Sequence, residues 1–462
     1  MTNPYAISTD TIVALATPEG EGAIAIIRLS GSQSFTIVQK IFKGKDLNIV
    51  PSHTIHFGKI VSTLQEKEEL IDEVLVSIFR APHSYTGEDA IEISCHGSRF
   101  IVQKILQLCC AQGARLALPG EFTMRAFLHG KLDLSQAEAV ADLIHSQSEL
   151  THKMAMHQLR GGFSSEINQF REQLINFAAL IELELDFGEE DVEFADRTSL
   201  IILIETIRSK VQFLLQSFVL GNVMKKGVPV VIVGKPNAGK STLFNALLNE
   251  DRALVSTIAG TTRDVIEELL IIDGIQFRFI DTAGIRDAKD AIEKMGIEKT
   301  YEKIQQSAVL LYVFDAKTDT KEDVEKAIEA FAQQSIHLII VANHCDKLID
   351  FELKKMPSNY VVISAKKGMG LQELKAKIAN LFHSDKTLQQ ATIVSNARHA
   401  DALKRVDHSL AEVQQGMDEN KTSDLISIDI KMALSALGEI TGAVEVDKDI
   451  LGTIFGKFCI GK

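Results

Sequence analysis

The chain has 462 residues, 45% of them hydrophobic and 24% charged, with a formal net charge of −13. That balance excludes a disordered chain, and it excludes attraction of the whole molecule to nucleic acid, so such a partner must meet a local basic patch. The five cysteines (Cys95, Cys109, Cys110, Cys345, Cys459) show no CxxC spacing, which excludes a disulfide framework and fits reduced thiols.

The opening "MTNPYAISTDTIVALATPEGEG" lacks a basic start followed by an apolar core, and no apolar run reaches the length of a membrane span. A cytoplasmic protein without membrane contact is expected. Length suggests about three domains.

Residues 1–119 read as mixed α/β. "GAIAIIRLSG", "DEVLVSIFRAP" and "DAIEISCHG" are short, β-branched and bounded by glycine or proline, as strands are. "SRFIVQKILQLCCAQG" follows as an amphipathic helix closed by Gly113. From 120 to 221, apolar residues recur at three-and-four spacing without an internal proline break, which predicts long helices. The last of these, "LIILIETIRSKVQFLLQSFVLG", is expected to end at Gly221. Residues 222–383 switch to strands alternating with helices: "VPVVIV", "FRFIDTAG", "AVLLYVFDA", "HLIIVANH" and "YVVISAKKG". This is the texture of a doubly wound, mostly parallel sheet. Residues 384–462 are helical again and end in "FCIGK". The fold class is therefore multidomain α/β, with the α/β unit of 222–383 inserted into a helical domain.

Gly234 to Ser241 spell "GKPNAGKS", a GxxxxGK[ST] pattern between an apolar strand and the helix "STLFNALLN". A glycine loop in that context turns backbone N–H groups toward one point at a positive helix end, a cradle for polyphosphate. Asn237, Ala238, Gly239, Lys240, Ser241 and Thr242 line it. Lys240 is placed to reach the outer phosphates and Ser241 to offer a hydroxyl to magnesium (Mg2+). Three further pieces select GTP. "DTAG" (Asp281, Thr282, Ala283, Gly284) follows a strand, where Asp281 can meet magnesium through water and the Gly284 N–H the terminal phosphate. "NHCD" (Asn343, His344, Cys345, Asp346) supplies Asp346, which can accept two hydrogens from a guanine edge. "SAK" (Ser364, Ala365, Lys366) offers a backbone N–H to the guanine carbonyl. His344 departs from the usual N-K-x-D, whose lysine stem lies along the base. "GTTRD" supplies a switch, with Thr262 the candidate second magnesium hydroxyl.

Ile285 follows "DTAG" and cannot orient a water. The residues alone leave Asp287, Asp290 and Glu293 as acids able to do so. Asn237 either braces its loop or, with carbonyls of "STIAGT", holds a monovalent cation where negative charge develops.

Together these motifs, with "TIVALATPEGEGAIAIIRLSG", "YTGEDAIEISCHG", "PGEFTMRAFLHGKLDLSQAEAVADLI", "DTAGIRDAKDAIEKMGIE" and the final "FCIGK", resemble the MnmE (TrmE) family of tRNA-modification GTPases over the whole length. The resemblance implies a folate-binding, dimer-forming N-terminal domain and a helical domain carrying the G domain. It implies a homodimer that joins MnmG (GidA), an FAD protein, in a heterotetramer. Together they would add an aminomethyl or carboxymethylaminomethyl group at carbon 5 of the wobble uridine of certain tRNAs. The one-carbon donor would be a tetrahydrofolate derivative (5-formyl- or methylene-tetrahydrofolate). It further implies potassium-stimulated hydrolysis coupled to G-domain dimerisation. Potassium (K+) ligands fall on Asn237, Ser256, Ile258 and Thr261, within a nucleotide-binding stretch that also holds Thr257, Ala259 and Gly260. Magnesium falls on Ser241 and Thr262, the water-orienting acid on Glu293, and folate contacts on Arg28, Glu92, Lys131 and Lys462.

Two other readings share the nucleotide site: a GTPase switch such as a ribosome-assembly factor, and a folate enzyme whose G domain only regulates. The N-terminal domain and the tail discriminate, because a plain assembly GTPase has no use for them. In the tail, Cys459 stands at a CaaX position, but Lys462 is a poor final residue for prenylation. Cys459 is then either a participant in the one-carbon chemistry, as nucleophile or proton shuttle, or a packed small residue.

Overall fold

The protein is described by a computed structural model, over residues 10–62, 68–186, 197–251, 267–280, 308–332, 337–347, 360–383, 392–419, 421–443, 451, 454–456 and 458–461. It divides into two compact units, each discontinuous in sequence. One comprises Met1–Ala141, Gln158–Asp196 and Gln415–Lys462; the other comprises Asp142–His157 and Arg197–Gln414.

The first unit is built on β1 (Ile12–Leu15), β2 (Gly22–Ser30), α1 (Ser34–Ile41), β3 (Phe42–Lys43), β4 (Thr54–Ser62), β5 (Glu69–Phe79), β6 (Ala90–Gly97), α2 (Arg99–Ala111) and β7 (Arg115–Leu116). The seven strands lie in the order β3-β4-β5-β6-β2-β1-β7. Pairing is antiparallel except for β1 with β7. Strand alternation sends Ala25, Ile27 and Leu29, Val74, Val76 and Ile78, and Ile91, Ile93 and Cys95 to one face, where α1 and α2 cover them. The other face keeps Ile55, Phe57 and Leu75 exposed. Arg28 pairs with Glu92 across β2 and β6, Glu92 with Ser77, and Ser77 with Ile55, so the charged pair and the apolar row share that face. α3 (Glu121–Leu128), most of α4 (Leu134–His145) and α6 (Gly162–Asp186) follow, while α5 (Glu149–Leu159) falls almost wholly in the Asp142–His157 segment of the second unit.

The second unit holds α7 (Arg197–Lys226), β8 (Val228–Val233), α8 (Lys240–Asp251), β9 (Glu267–Ile272), β10 (Ile275–Ile280), β11 (Val309–Asp315), α9 (Lys321–Ala332), β12 (His337–Asn343), β13 (Tyr360–Val362), α10 (Leu371–His383) and α11 (Ala397–Asp418). Its sheet runs β13-β12-β11-β8-β10-β9, parallel apart from the β9–β10 hairpin. Successive residues of β8 and β11 enter opposite cores: Val230, Ile232, Leu311 and Val313 on one side, Val231, Val233, Leu310 and Phe314 on the other. That is why these strands read as unbroken apolar runs. The hairpin turns on Asp273 and Gly274, with φ of 50° and 76°, the left-handed pair that a two-residue turn requires.

One element departs from expectation. α7 does not stop at Gly221 but continues to Lys226 and turns off at Gly227, φ +87°. Gly221 is there for a close crossing: a Cβ on it would lie 2.4 Å from the Val394 carbonyl oxygen. The same crossing is tied by Val394 N–H donating to Ser217 Oγ at 3.1 Å.

Beyond α11 the chain returns to the first unit as α12 (Ser423–Thr441), which packs along α6. Its end region buries Phe455 and Phe458 among Met124, Leu134, Ala137 and Val140.

Candidate functional site

The phosphate loop leaves β8 at Gly234, φ +151°, where a Cβ would lie 2.0 Å from the Val313 carbonyl oxygen. No side chain fits, and the backbone passes directly over β11. Asn237 is left-handed at φ 64° and exposed at the loop's apex. Gly239, φ +90°, allows contact with the base motif, since a Cβ there would meet Asn343 Nδ2 at 2.1 Å. Lys240 opens α8 and is largely buried; its Nζ donates to the Gly234 and Lys235 carbonyls at 2.7 and 2.9 Å. The ammonium thus bridges the loop beside the positive N-terminal end of the helix, and both favour an anion there. Ser241 and Thr242 stand exposed on the first turn. Lys235, unremarked in the motif, anchors the loop's outer side to Asp319 and Asp323 at 2.9 and 3.1 Å.

Asn343, fully buried, joins three pieces. Its Nδ2 donates to the Ala238 carbonyl at 2.9 Å and its Oδ1 accepts from Ala365 N–H at 3.1 Å. It therefore acts as a strut between the phosphate loop and the "SAK" turn. Asp346 accepts from Ser364 Oγ at 3.1 Å and lies 3.5 Å from Lys367 Nζ. Desolvation works to raise its pKa, but the hydrogen bonds from Ser364, its own backbone and Lys367 outweigh this and hold the carboxyl below its ordinary range. It stands ionised and ready to accept paired N–H groups. Cys345 lies beneath, its thiol pushed up by burial, so it is packing. Lys366 lies in the turn after β13. The structure thus gathers the described nucleotide residues at the carboxyl ends of β8, β12 and β13, where ligands of open α/β sheets bind. Ser256, Thr257, Ile258, Ala259, Gly260, Thr261, Thr262, Asp281, Thr282, Ala283, Gly284, Glu293 and Lys462 lie outside the described residues.

The second cluster belongs to the first unit. Arg28 Nε and Nη2 reach the same Glu92 oxygen, Oε1, at 2.8 and 2.7 Å. The guanidinium lies 5.5 Å from the Tyr85 ring centre and 5.8 Å from that of Phe122. Tyr85 hydroxyl shares a hydrogen bond with Thr123 Oγ1 at 2.8 Å, and burial pushes its pKa up. Arg28 is thus compensated by Glu92 and orients it through Oε1, with the guanidinium itself held against the two rings. Such a setting fits a flat heterocycle with adjacent N–H donors, as a pterin has. Lys131 Nζ donates to the Pro82 carbonyl at 3.0 Å, on the loop that carries Tyr85.

The C-terminal tail arrives at the same place. Gly120 N–H reaches the Cys459 carbonyl at 3.5 Å, and the Gly461 carbonyl is 3.5 Å from Arg28 Nη1. A Cβ on Gly461, φ +92°, would lie 2.1 Å from the Leu15 carbonyl oxygen. Phe455 and Phe458 are the anchors, and Cys459 is left exposed between them and Arg28. Tyr85, Phe122 and Phe458 lie within the quoted family stretches without a role assigned to them there, and Phe455 lies outside those stretches.

Residues 134–459 match the family model described as the MnmE helical domain, and 11–131 that described as the GTP-binding protein TrmE N-terminus. A tRNA modification GTPase MnmE of Cytophaga hutchinsonii is 51% identical over 456 residues, covering 98% of each chain. The protein of that name from Flavobacterium johnsoniae is 52% identical over 470 residues, covering 99% of this chain and 100% of that one. With both ends of the molecule matched and a complete phosphate loop between them, the chain belongs to the MnmE (TrmE) family of tRNA modification GTPases.

Proposed function

We propose that the chain hydrolyses GTP to drive a folate-dependent modification of tRNA at carbon 5 of the wobble uridine, acting as a homodimer with the FAD protein MnmG (GidA). The observation that carries this reading is the meeting of the C-terminal tail with the Arg28–Glu92 pair, in a chain that also holds a phosphate loop. A switch GTPase of ribosome assembly has no use for that second cluster.

In the nucleotide site, the α8 N-terminus and Lys240 hold the phosphates, and Asp346 accepts the N–H pair of guanine. Glu293 orients the attacking water in place of Ile285. Ser241, with Thr262 and Asp281, would hold magnesium, which neutralises phosphate charge. Asn237, with Ser256, Ile258 and Thr261, would hold potassium, which supplies positive charge beside the β/γ bridge; the exposed amide of Asn237 at the loop apex suits that role. In the second site Glu92 would accept from the pterin, the exposed ring of Tyr85 would lie against it, and Lys131 and Lys462 would pair with the anionic end. A reduced folate bound there would supply the one-carbon unit. The exposed row Ile55, Phe57 and Leu75 supports association of two N-terminal units.

The test is a nucleoside digest of tRNA from a strain lacking the gene. Loss of the wobble-uridine modification, restored by this chain, is expected; full modification without it overturns the reading.

A further inference from the structure

We propose that His344 is the base-stacking residue of the nucleotide site, positioned by Asp315. This rests on the GTP-binding reading above. His344 stands where N-K-x-D proteins carry the lysine whose stem lies along the base.

Three constraints hold the imidazole. Its backbone is left-handed, φ 66°, an uncommon state for a residue with a side chain. The neighbours on both sides are fixed, Asn343 by Ala238 and Ala365, and Cys345 by its N–H donating to the Ile363 carbonyl at 3.2 Å. Nδ1 then lies 2.9 Å from Asp315 Oδ2, at the end of the adjoining strand β11.

Asp315 is itself preset. Its Oδ1 accepts from Lys317 N–H at 3.0 Å, and its own N–H donates to Asp319 Oδ2 at 2.8 Å. With Oδ1 held by the Lys317 N–H, the carboxylate turns Oδ2 to the ring and sets the position of Nδ1. The opposite ring nitrogen, Nε2, faces the phosphate loop, 3.4 Å from where a Cβ of Gly239 would sit. The ring thus stands against the phosphate loop, two residues before the guanine-reading Asp346 in the same motif, with about a third of the side chain exposed. A surface ion pair would need neither the left-handed backbone nor the preset acid. A planar ring in that place offers a purine an aromatic face where a lysine offers an alkyl edge, while Asp315 takes over the orienting that lysine length provides.

The experiment is a double-mutant cycle read by binding of a fluorescent GDP analogue, with the thermal midpoint of each variant recorded. His344→Ala is expected to weaken binding about tenfold, the scale of one base–aromatic stack, at an unchanged midpoint. His344→Phe keeps most of the affinity because it keeps the aromatic face. Asp315→Asn weakens binding in the wild-type background and has no further effect beside His344→Ala, since it acts only through the ring. In turnover, KM for GTP rises while kcat at saturation holds. Affinity of His344→Ala within twofold of wild type overturns the proposal, as does an Asp315→Asn loss that is equal in both backgrounds. If His344→Ala does not fold, a His344→Phe protein that folds but loses the nucleotide overturns it as well. Failure of the wild-type chain to bind the analogue would instead overturn the GTP-binding reading itself.

Discussion

Asn343 shows how a motif letter and a structural role part company. The pattern places it beside guanine, yet its amide is occupied on both sides by protein backbone. A spacing rule reports that an asparagine belongs there, but which groups it satisfies depends on two loops that are distant in sequence. The cysteines separate in the same way. Apart from Cys459, singled out by its place in the tail, the cysteines read alike as reduced thiols, and only the fold divides them. Cys109 is fully buried and desolvation pushes it to about 12; Cys95, buried and near the Asp72 carboxylate, is pushed to about 11. Both stay protonated and unreactive at neutral pH, because the thiolate is the nucleophile and its fraction rises only as pH approaches those values. Cys459 is exposed. Alkylation of the native protein at pH 7.5 should therefore label Cys459 well before Cys95 and Cys109, which should label only on unfolding. Peptide mass spectrometry checks the order.

At the level of elements, the apolar runs that became β8, β10, β11 and β12 were legible because both of their faces are largely buried, and β13 as a short β-branched run at the sheet's edge. β9 was not read, since it falls between the switch motif and β10 and pairs as a hairpin edge. Gly221 was misread for a physical reason. Glycine stops helices by accepting left-handed φ, but it also admits a crossing backbone, and only the tertiary neighbour distinguishes the two. The crossing gives a direct test. Gly221→Val must displace Val394 or bend α7, and overpacking of this kind costs about 1–3 kcal/mol. The thermal transition of the second unit should fall by several degrees, measured by calorimetry, even though glycine is the poorer helix former. A midpoint at or above wild type would mean that the crossing yields without strain.

On the scale of the whole molecule, the sequence announced an α/β unit spliced into helices, and the family matches bear out that class. What it did not announce is that the helical stretch Asp142–His157 clusters with the nucleotide-binding sheet. The apolar row of the first unit was equally illegible, because Ile55 and Phe57 look like core until the sheet shows which face α1 and α2 cover. If that row joins two copies, Phe57→Asp should shift the chain from dimer to monomer in light scattering at micromolar concentration, and keep the nucleotide affinity of the separate second unit. A dimer that persists would direct the search to another face. The Asp142–His157 stretch has its own consequence. Leu150 N–H donates to the Gly274 carbonyl at 3.2 Å, and Gln276 Nε2 to Gln147 Oε1 at 3.3 Å, at the near end of β10. At its far end, β10 is followed in sequence by Asp281 of the "DTAG" motif. Only about 13 Å of extended chain separates Gln276 from Ile280. The strand is therefore a short rod, hydrogen-bonded to buried β8 on one side and to the edge strand β9 on the other. A displacement imposed at its Ile280 end would thus be carried, over a few residues, to the Gly274 turn and Gln276, which are hydrogen-bonded to Leu150 and Gln147.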